Sequence, residues 1–448
     1  MSSVFQALHY RSEQLAGARR VWVAYSGGLD STVLLHQLVE LGLKNLVAVH
    51  VNHQLSSRAQ GWSKHCVEQA KSWGVRCEVH TVVVASAGEG LESAAREARF
   101  NIFNRLVEAS DILLTGHHAN DQAETLVFRL MRGAGLKGMS GMPPQRVLNE
   151  PLGAGLLLRP LLNVTREALA AYAADQQLSW VEDHSNADTR FDRNFLRQEV
   201  LPLIEQRWPK AVKRIASSAQ LLQQSHALLD DYLSEDLKQC LPVSERVGHS
   251  LDLTVLSGFS LVKQNHLLRY WLDSLNVRLP TQAQLSEIHK VVMAADDAFP
   301  QVSWGRETHQ YCDGCSVHRF RQRLYIVPRL PVGERTEVIV TWDGVGECTL
   351  NDGFVLGAIP SETGFGLPAG RYQIQTRQGG ERCRPEQRAR SQTLKKLLQE
   401  FELEPWLRDR VPLIYRDETL VAVGDLWVCQ GVAVEGGAAL SWAFKPAS

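Results

Sequence analysis

The chain has 448 residues, of which 44% are hydrophobic and 22% charged; Lys+Arg number 48 against 49 Asp+Glu, for a formal net charge of −1. Those totals suit a soluble globular protein of two or three domains and exclude a uniformly basic nucleic-acid binder, so any polyanion-binding surface must be local. No run approaches the roughly 18–20 apolar residues that span a bilayer. The stretch MSSVFQALHYRSEQLAGARR has no secretory apolar region and the eight cysteines are scattered, which predicts a cytoplasmic protein with reduced thiols.

Up to about residue 183, strand-like and helix-like patterns alternate. Strands are expected at Val21–Tyr25, Leu46–Val51, Cys77–Val84, Asp111–Thr115 and Leu156–Leu162, and helices at Thr32–Leu41, Ala59–Trp73, Leu91–Ala109, Asp121–Arg132 and Arg166–Gln176. Near-continuous apolar strands separated by helices predict an α/β fold with a doubly wound parallel sheet, whose ligands sit beyond the carboxyl ends of the strands. The expected division is a catalytic domain over 1–208, a helical connector over 209–250, a small α+β domain over 251–334 and a β-rich C-terminal domain over 335–448. The one tight cluster of metal-ligand residue types, His309, Cys312, Cys315 and His318, reads as a hairpin whose turn contains Asp313-Gly314 rather than as a zinc site.

The first expected strand runs into Ser26-Gly27-Gly28-Leu29-Asp30-Ser31-Thr32. Two glycines permit positive φ and close approach to a ligand, successive N–H groups and a helix N-terminus favour an anion, and Ser26, Ser31 and Thr32 offer hydroxyls. Asp30 repels phosphate unless a divalent cation lies between, or unless it only caps the helix. The P-loop lysine is missing, so this is not a Walker motif.

Four further stretches carry chemistry. In LLTGHHANDQAETLVFRLMRGAGLKGM, Asp121, Glu124, Thr125 and Phe128 share a helix face, opposite an apolar stripe of Ala123, Val127 and Leu130. Paired carboxylates there suit magnesium or the proton of an amine, although Asp121 also suits a helix start. In GLESAAREARF, Glu92, Arg96 and Arg99 share one face, and Leu91, Ala95, Ala98 and Ile102 the other. In VEDHSNADTRFDRNFLRQEVLP, Asp183, Asn186 and Asp188 read as turn or capping residues, while Arg190, Arg193, Asn194 and Arg197 line one helix face, whose three arginines suit a nucleic-acid backbone or a polyphosphate. From Arg371 to Lys396 there are eight basic residues, among them Arg382, Arg384, Lys395 and Lys396, against two acids. That excess is a local phosphate footprint.

The hexapeptide Ser-Gly-Gly-x-Asp-Ser is similar to the loop of the pyrophosphatase-type ATP enzymes. With the stretches above and the Gly-Gly-Glu, Leu-Lys-Lys-Leu-Leu and Pro-Trp-Leu-Arg motifs of 377–415, the chain resembles the family of bacterial tRNA(Ile)-lysidine synthetases. The resemblance is strong over Val21–Pro202 and Arg377–Tyr415 and weak between; Phe100 stands where the family usually has tyrosine, and Ser56 where arginine is common.

The resemblance implies a ligase. ATP adenylates the C2 oxygen of the wobble cytidine in tRNA(Ile) with a CAU anticodon, and the side-chain amine of free L-lysine displaces AMP. The change shifts codon reading from AUG to AUA and aminoacyl identity from Met to Ile. It further implies ATP and Mg²⁺ as cofactors, with Ser26–Thr32 at the nucleotide, Asp30 at the metal, and Asp30, Asp121, Glu124, Arg96, Arg99 and Arg193 in catalysis. Arg190, Arg193, Arg197, Arg382, Arg384, Lys395 and Lys396 are expected on tRNA; a homodimer is left open. Three alternatives compete. A sulfur-inserting tRNA enzyme is disfavoured because Cys66 and Cys77 do not form a catalytic pair. An amidating enzyme would need a glutaminase partner, of which there is no sign. A non-enzymatic tRNA binder needs neither Asp30 nor the carboxylate pair.

Overall fold

The computed structural model describes residues 3–56, 58–83, 91–148, 155–182, 188–295, 300–305, 314–330, 340–350, 353–360, 365–386 and 388–445. They divide into two compact units, Met1–Leu229 and Asp230–Ser448.

The first unit opens with α1 (Ser3–His9) and α2 (Ser12–Ala16), then β1 (Val21–Ala24), α3 (Leu29–Glu40), β2 (Leu46–Asn52), α4 (Ala59–Ser72), β3 (Arg76–Thr81), α5 (Leu91–Leu106), β4 (Ile112–Leu114), α6 (Ala119–Met131), α7 (Leu136–Met139), β5 (Gln145–Leu148), β6 (Gly155–Leu158) and α8 (Arg166–Asp175). The sheet order is β3-β2-β1-β4-β6-β5. All neighbours are parallel except β5, which runs antiparallel to β6. The expected strands are present; β5 is an addition that the sequence did not suggest, because QRVL lacks both a long apolar run and clean alternation.

The apolar strands read as continuous because both faces are covered. Val21, Val23, Ile112, Leu114 and Leu158 enter a core with α1, α3 and α8, whereas Trp22, Leu113 and Leu157 enter a second core with Phe103 and Val107 of the α5 side. Each such fully buried side chain contributes roughly 1.5–3 kcal/mol. Helix α5 is turned from the expected face: Phe103 and Val107 are buried, while Ile102 is only half-buried. On α6, Ala123 and Val127 pack against Leu201, Val212 and Ala216, but Leu130 is 54% exposed and Leu126 is buried in its stead.

From β1 the chain winds outward through β2 to β3, then crosses back through α5 to β4 on the other flank of β1. The reversal falls between β1 and β4, so the loops after these two strands flank the crevice where a doubly wound sheet binds ligands.

In the second unit, a five-stranded antiparallel sheet joins Val243–Ser244, His249–Asp252, Arg323–Pro328, Gly314–Phe320 and Gln301–Gly305, accompanied by helices Leu253–Gly258, Leu261–Ser274 and Gln282–Met293. Residues 243–250, expected in the connector, thus contribute to strands; the connector itself is largely the helix Ala211–Gln239. Further on, five-stranded and three-stranded sheets enclose a core containing Trp342, Phe354, Tyr372, Leu394, Leu397, Leu398 and Trp442. Gly314 is not a turn residue: it pairs with Gly305 at the start of a strand. Cys315 and His318 leave that strand on opposite faces, being three residues apart, and both are buried. His309 and Cys312 lie outside the described residues. Among the described residues no group of three or more His, Cys, Asp or Glu is placed to hold a metal ion.

Candidate active site

The loop after β1 is a tight turn closed by its own hydroxyls. Ser31 Oγ accepts from Ser26 N at 3.2 Å and donates to Gly28 O at 3.1 Å, and Ser26 Oγ accepts from Gly28 N at 3.3 Å. Gly27 has φ +81°, and a β-carbon there would stand 2.7 Å from Cys66 Sγ, so both the turn and the space demand glycine. Gly28 is the N-cap of α3, which begins at Leu29. The segment past α8 lies against the loop, with Val181 N donating to Gly27 O at 2.8 Å. Thr32 is fully buried, so of the three expected hydroxyls its own faces inward.

The turn after β4 meets this loop. Gly116 packs against the backbone of Asp30 and Ser31. His117 Nδ1 lies 2.8 Å from Thr115 Oγ1 and is held well below the ordinary histidine range by burial and by the charges of Arg159, Arg99 and Arg96. His118 is the N-cap of α6 in a reciprocal box: its Nδ1 accepts from Asn120 N at 3.2 Å, and its own N–H donates to Asp121 Oδ2 at 3.0 Å. Its Nε2 faces Asp30 Oδ1 at 3.4 Å and Asp121 Oδ2 at 3.6 Å. Burial opposes charging of this ring, but Asp30, Asp121 and Glu124 raise its pKa on balance. The capping bond requires a bare Nδ1, so the neutral ring carries its proton on Nε2, toward the carboxylates.

Asp121 and Glu124 lie one turn apart on α6, as the spacing predicts. Glu124 is buried, and burial raises its pKa against the pull of Arg197. Arg197 grips it bidentately, Nε to Oε1 at 2.7 Å and Nη2 to Oε2 at 2.8 Å, and reaches Asp121 Oδ1 at 3.2 Å. Arg197 was expected on a stripe facing nucleic acid; its guanidinium is turned to these carboxylates instead. Arg190 pairs with Asp188 at 2.6 Å on the surface, and Arg193 lies near enough to Arg129 to help depress its pKa, after burial. Asp183 and Asn186 lie outside the described residues.

Arg96 and Arg99 form part of a basic wall. The guanidinium carbons of Arg96 and Arg146 lie 5.1 and 5.2 Å from the centre of the Phe100 ring. Arg159, just past the carboxyl end of β6, is 5% exposed; burial, then Arg146 and Arg96, push its pKa down to about 10. Its Nη1 donates to Pro143 O at 2.7 Å, while its buried Nε has no hydrogen-bond partner among the described residues. Sequence reasoning missed Arg159 and His118. Their signals were an arginine ending an apolar strand and a His-His pair directly before a helix.

Asp30 Oδ1 is buried; among the described residues it makes no hydrogen bond of ordinary geometry, and His118 Nε2 faces it at 3.4 Å. A buried carboxylate oxygen so weakly partnered beside a phosphate-type loop suits a magnesium ion, which takes one or two protein carboxylates and completes its shell with phosphate and water. The crevice thus brings an anion-binding turn that carries Asp30 up to the carboxylates of Asp121 and Glu124, with His118 between Asp30 and Asp121.

In the second unit, Arg382 and Cys383 pair with Thr393 and Gln392 just before the helix Leu394–Glu400. Arg382, Arg388, Arg390, Lys395 and Lys396 are exposed on this hairpin and helix, and Arg384 is half-exposed with its Nε on Arg388 O. Gly379 and Gly380, at φ +101° and +89°, make the preceding turn, whose N–H groups donate to Glu381.

A parallel sheet with a glycine turn at its reversal point and an aspartate at the helix start defines an ATP-binding enzyme of the PP-loop class. Residues 3–204 match the model of a PP-loop domain, 251–325 that of a TilS substrate binding domain and 372–442 that of a TilS substrate C-terminal domain. A tRNA(Ile)-lysidine synthase of Serratia proteamaculans (strain 568) is 40% identical over 437 residues, covering 95% of each chain. Those of Proteus mirabilis (strain HI4320) and Coxiella burnetii (strain RSA 493 / Nine Mile phase I) are 37% and 36% identical, over 93% and 92% of this chain and 92% and 90% of theirs. The chain belongs to the tRNA(Ile)-lysidine synthase family. No helix among the described residues is long and apolar enough to cross a membrane.

Proposed function

We propose that the chain is the ligase its family membership indicates: it joins free lysine to C2 of the wobble cytidine of a CAU-anticodon tRNA(Ile), at the expense of ATP, with release of AMP and pyrophosphate. The observation that carries the residue assignment is the meeting of Gly116 with Asp30, which sets the carboxylates of α6 beside the nucleotide loop.

ATP lies with its triphosphate on residues 26–31 and the N-terminus of α3. Asp30 would hold the magnesium ion. Magnesium, when bound, offsets the charge that builds on the α-phosphate and on departing pyrophosphate. Arg96, Arg99 and Arg159 add fixed positive charge that offsets the negative charge of the transition state. The cytidine O2 attacks the α-phosphate and pyrophosphate leaves. A carboxylate takes the proton from the lysine ε-ammonium; the neutral amine then attacks C2 and the bond to the AMP oxygen breaks, releasing AMP. His118 is not that acceptor, because its Nε2 already carries a proton. Asp121 and Glu124 attract the lysine cation, and Glu124, with its raised pKa, is the better base of the two. The exposed cations of 382–396 hold a tRNA segment remote from the anticodon. The enzyme works in the cytoplasm.

The test supplies ATP, magnesium, labelled lysine and CAU-anticodon tRNA(Ile). Label is expected in the tRNA with one AMP per lysine, and pyrophosphate without label transfer when lysine is omitted. AMP formation with no lysine transfer would refute the reading.

A further inference from the structure

The carboxylates assigned to lysine already hold a cation. Glu124, with its side chain 3% exposed, lies under the two parallel bonds from Arg197, whose third bond reaches Asp121. A guanidinium and an incoming ammonium compete for one anionic seat, and the bidentate geometry is the strong form of that interaction.

Arg197 also occupies an unusual stretch of backbone. It lies in a π-helical segment, Leu196–Val200, between the short helix Asp192–Phe195 and the helix Leu201–Arg207. A π segment is rare in proteins, and such segments occur frequently at functional sites. Just upstream, Phe191 and Phe195 are 42% and 48% exposed, with Arg190 and Arg193 among them. Exposed aromatic rings interleaved with arginine suit the splayed bases of a single-stranded loop.

We propose that Arg197 is a resident cation that keeps the lysine seat filled in the free enzyme. The anticodon loop, engaging residues 188–195, draws Arg197 off, and lysine enters last. The proposal rests on the reading that Asp121 and Glu124 form the lysine seat. It imposes an order on the reaction: the amine is admitted only where a cytidine is ready to be adenylated. The apparent affinity for lysine is then the intrinsic affinity scaled by the fraction of molecules with Arg197 displaced. If that fraction is about 1% without tRNA, lysine binding tightens about 100-fold when tRNA is added.

The test measures lysine affinity of the full chain by equilibrium dialysis, with and without saturating tRNA(Ile). The wild type is expected to bind lysine at least about tenfold more tightly with tRNA. Arg197→Gln should bind lysine tightly without tRNA and gain less than about twofold from it. Arg197→Lys, which keeps a tethered ammonium, should retain the tRNA dependence. Arg197→Met serves beside the glutamine variant, with thermal denaturation of both to confirm folding. Weaker lysine binding in both neutral variants, or an intact tRNA dependence, would show that Arg197 merely orients the carboxylates and would overturn the proposal. Glu124→Gln separates the two levels: if it leaves lysine affinity unchanged, the seat itself is elsewhere and the underlying reading fails.

Discussion

A β-carbon on Gly116 would stand 3.0 Å from the carbonyl carbon of Asp30 and 3.1 Å from the amide nitrogen of Ser31, so the two loops of the crevice touch backbone to backbone. Gly116→Ala must therefore push the start of α3 by a few tenths of an ångström. Misplaced phosphate donors lower reaction rate steeply with distance, by about 100-fold for a full ångström. A loss of roughly tenfold in adenylation is expected, with a melting temperature close to wild type. Pyrophosphate release at saturating tRNA measures it; an unchanged rate would show that the loops yield without cost.

Asp30→Asn should stop AMP formation and flatten its response to magnesium. The fold should survive, because Asn keeps the size of the side chain and the one contact it weakens, to His118 Nε2, is already long at 3.4 Å. Titrating magnesium against AMP formation, with circular dichroism alongside, decides the matter. Wild-type turnover in this variant would remove Asp30 from the metal.

His318 gives a pH dependence. It stacks on Trp406 with ring centres 4.4 Å apart, and burial holds its pKa down at about 4, against an ordinary value near 6.5. Between these values the unfolded chain binds a proton that the folded chain refuses. Stability of the second unit should fall as pH drops from about 6.5 to about 4 and be insensitive to this ring above that window. The whole window is worth about 3 kcal/mol. His318→Phe keeps an aromatic stack and should lack this acid loss. Denaturant unfolding at pH 4 to 7 reports it, and parallel curves for the two proteins would refute it.

Replacing Arg382, Arg384, Lys395 and Lys396 with Ala should weaken tRNA binding and lower the slope of log K against log salt by about 0.7–0.9 for every phosphate no longer neutralised. ATP affinity should hold, since that site is built from residues 26–31. Affinities measured at several salt concentrations are the check, and an unaltered slope would make the cluster an ordinary solvated surface.

Local rules made the nucleotide loop and the α6 carboxylates legible. Glycines, hydroxyls and an i, i+3 acid pair are short-range features, and both strand–helix units follow period and apolar run. What escaped was long-range. Spacing places Arg190, Arg193 and Arg197 on one helix face, but it cannot say that Arg197 finds Glu124, 73 residues earlier in the chain. Arg159 sits inside the run 156–162 expected as one strand, which in fact stops at Leu158, and only the sheet order brings it toward His117 and Arg96. For α5, alanines at two of the expected core positions left the face weakly marked, and the bulk of Phe103 and Val107 decided it. β5 escaped because its pairing, not its composition, makes it a strand.

The sheet order has a colloidal consequence. An open sheet has two unpaired margins, and any such margin can recruit a strand from a neighbouring molecule. Here the margins are β3 and β5. β3 carries Arg76, Glu78 and His80, with Arg76 and Glu78 paired at 2.9 Å, and β5 carries Arg146 against the Phe100 ring. Adding a foreign strand at either margin would strip water from these charges, so the six strands terminate themselves and the crevice can stay open without inviting fibrous association.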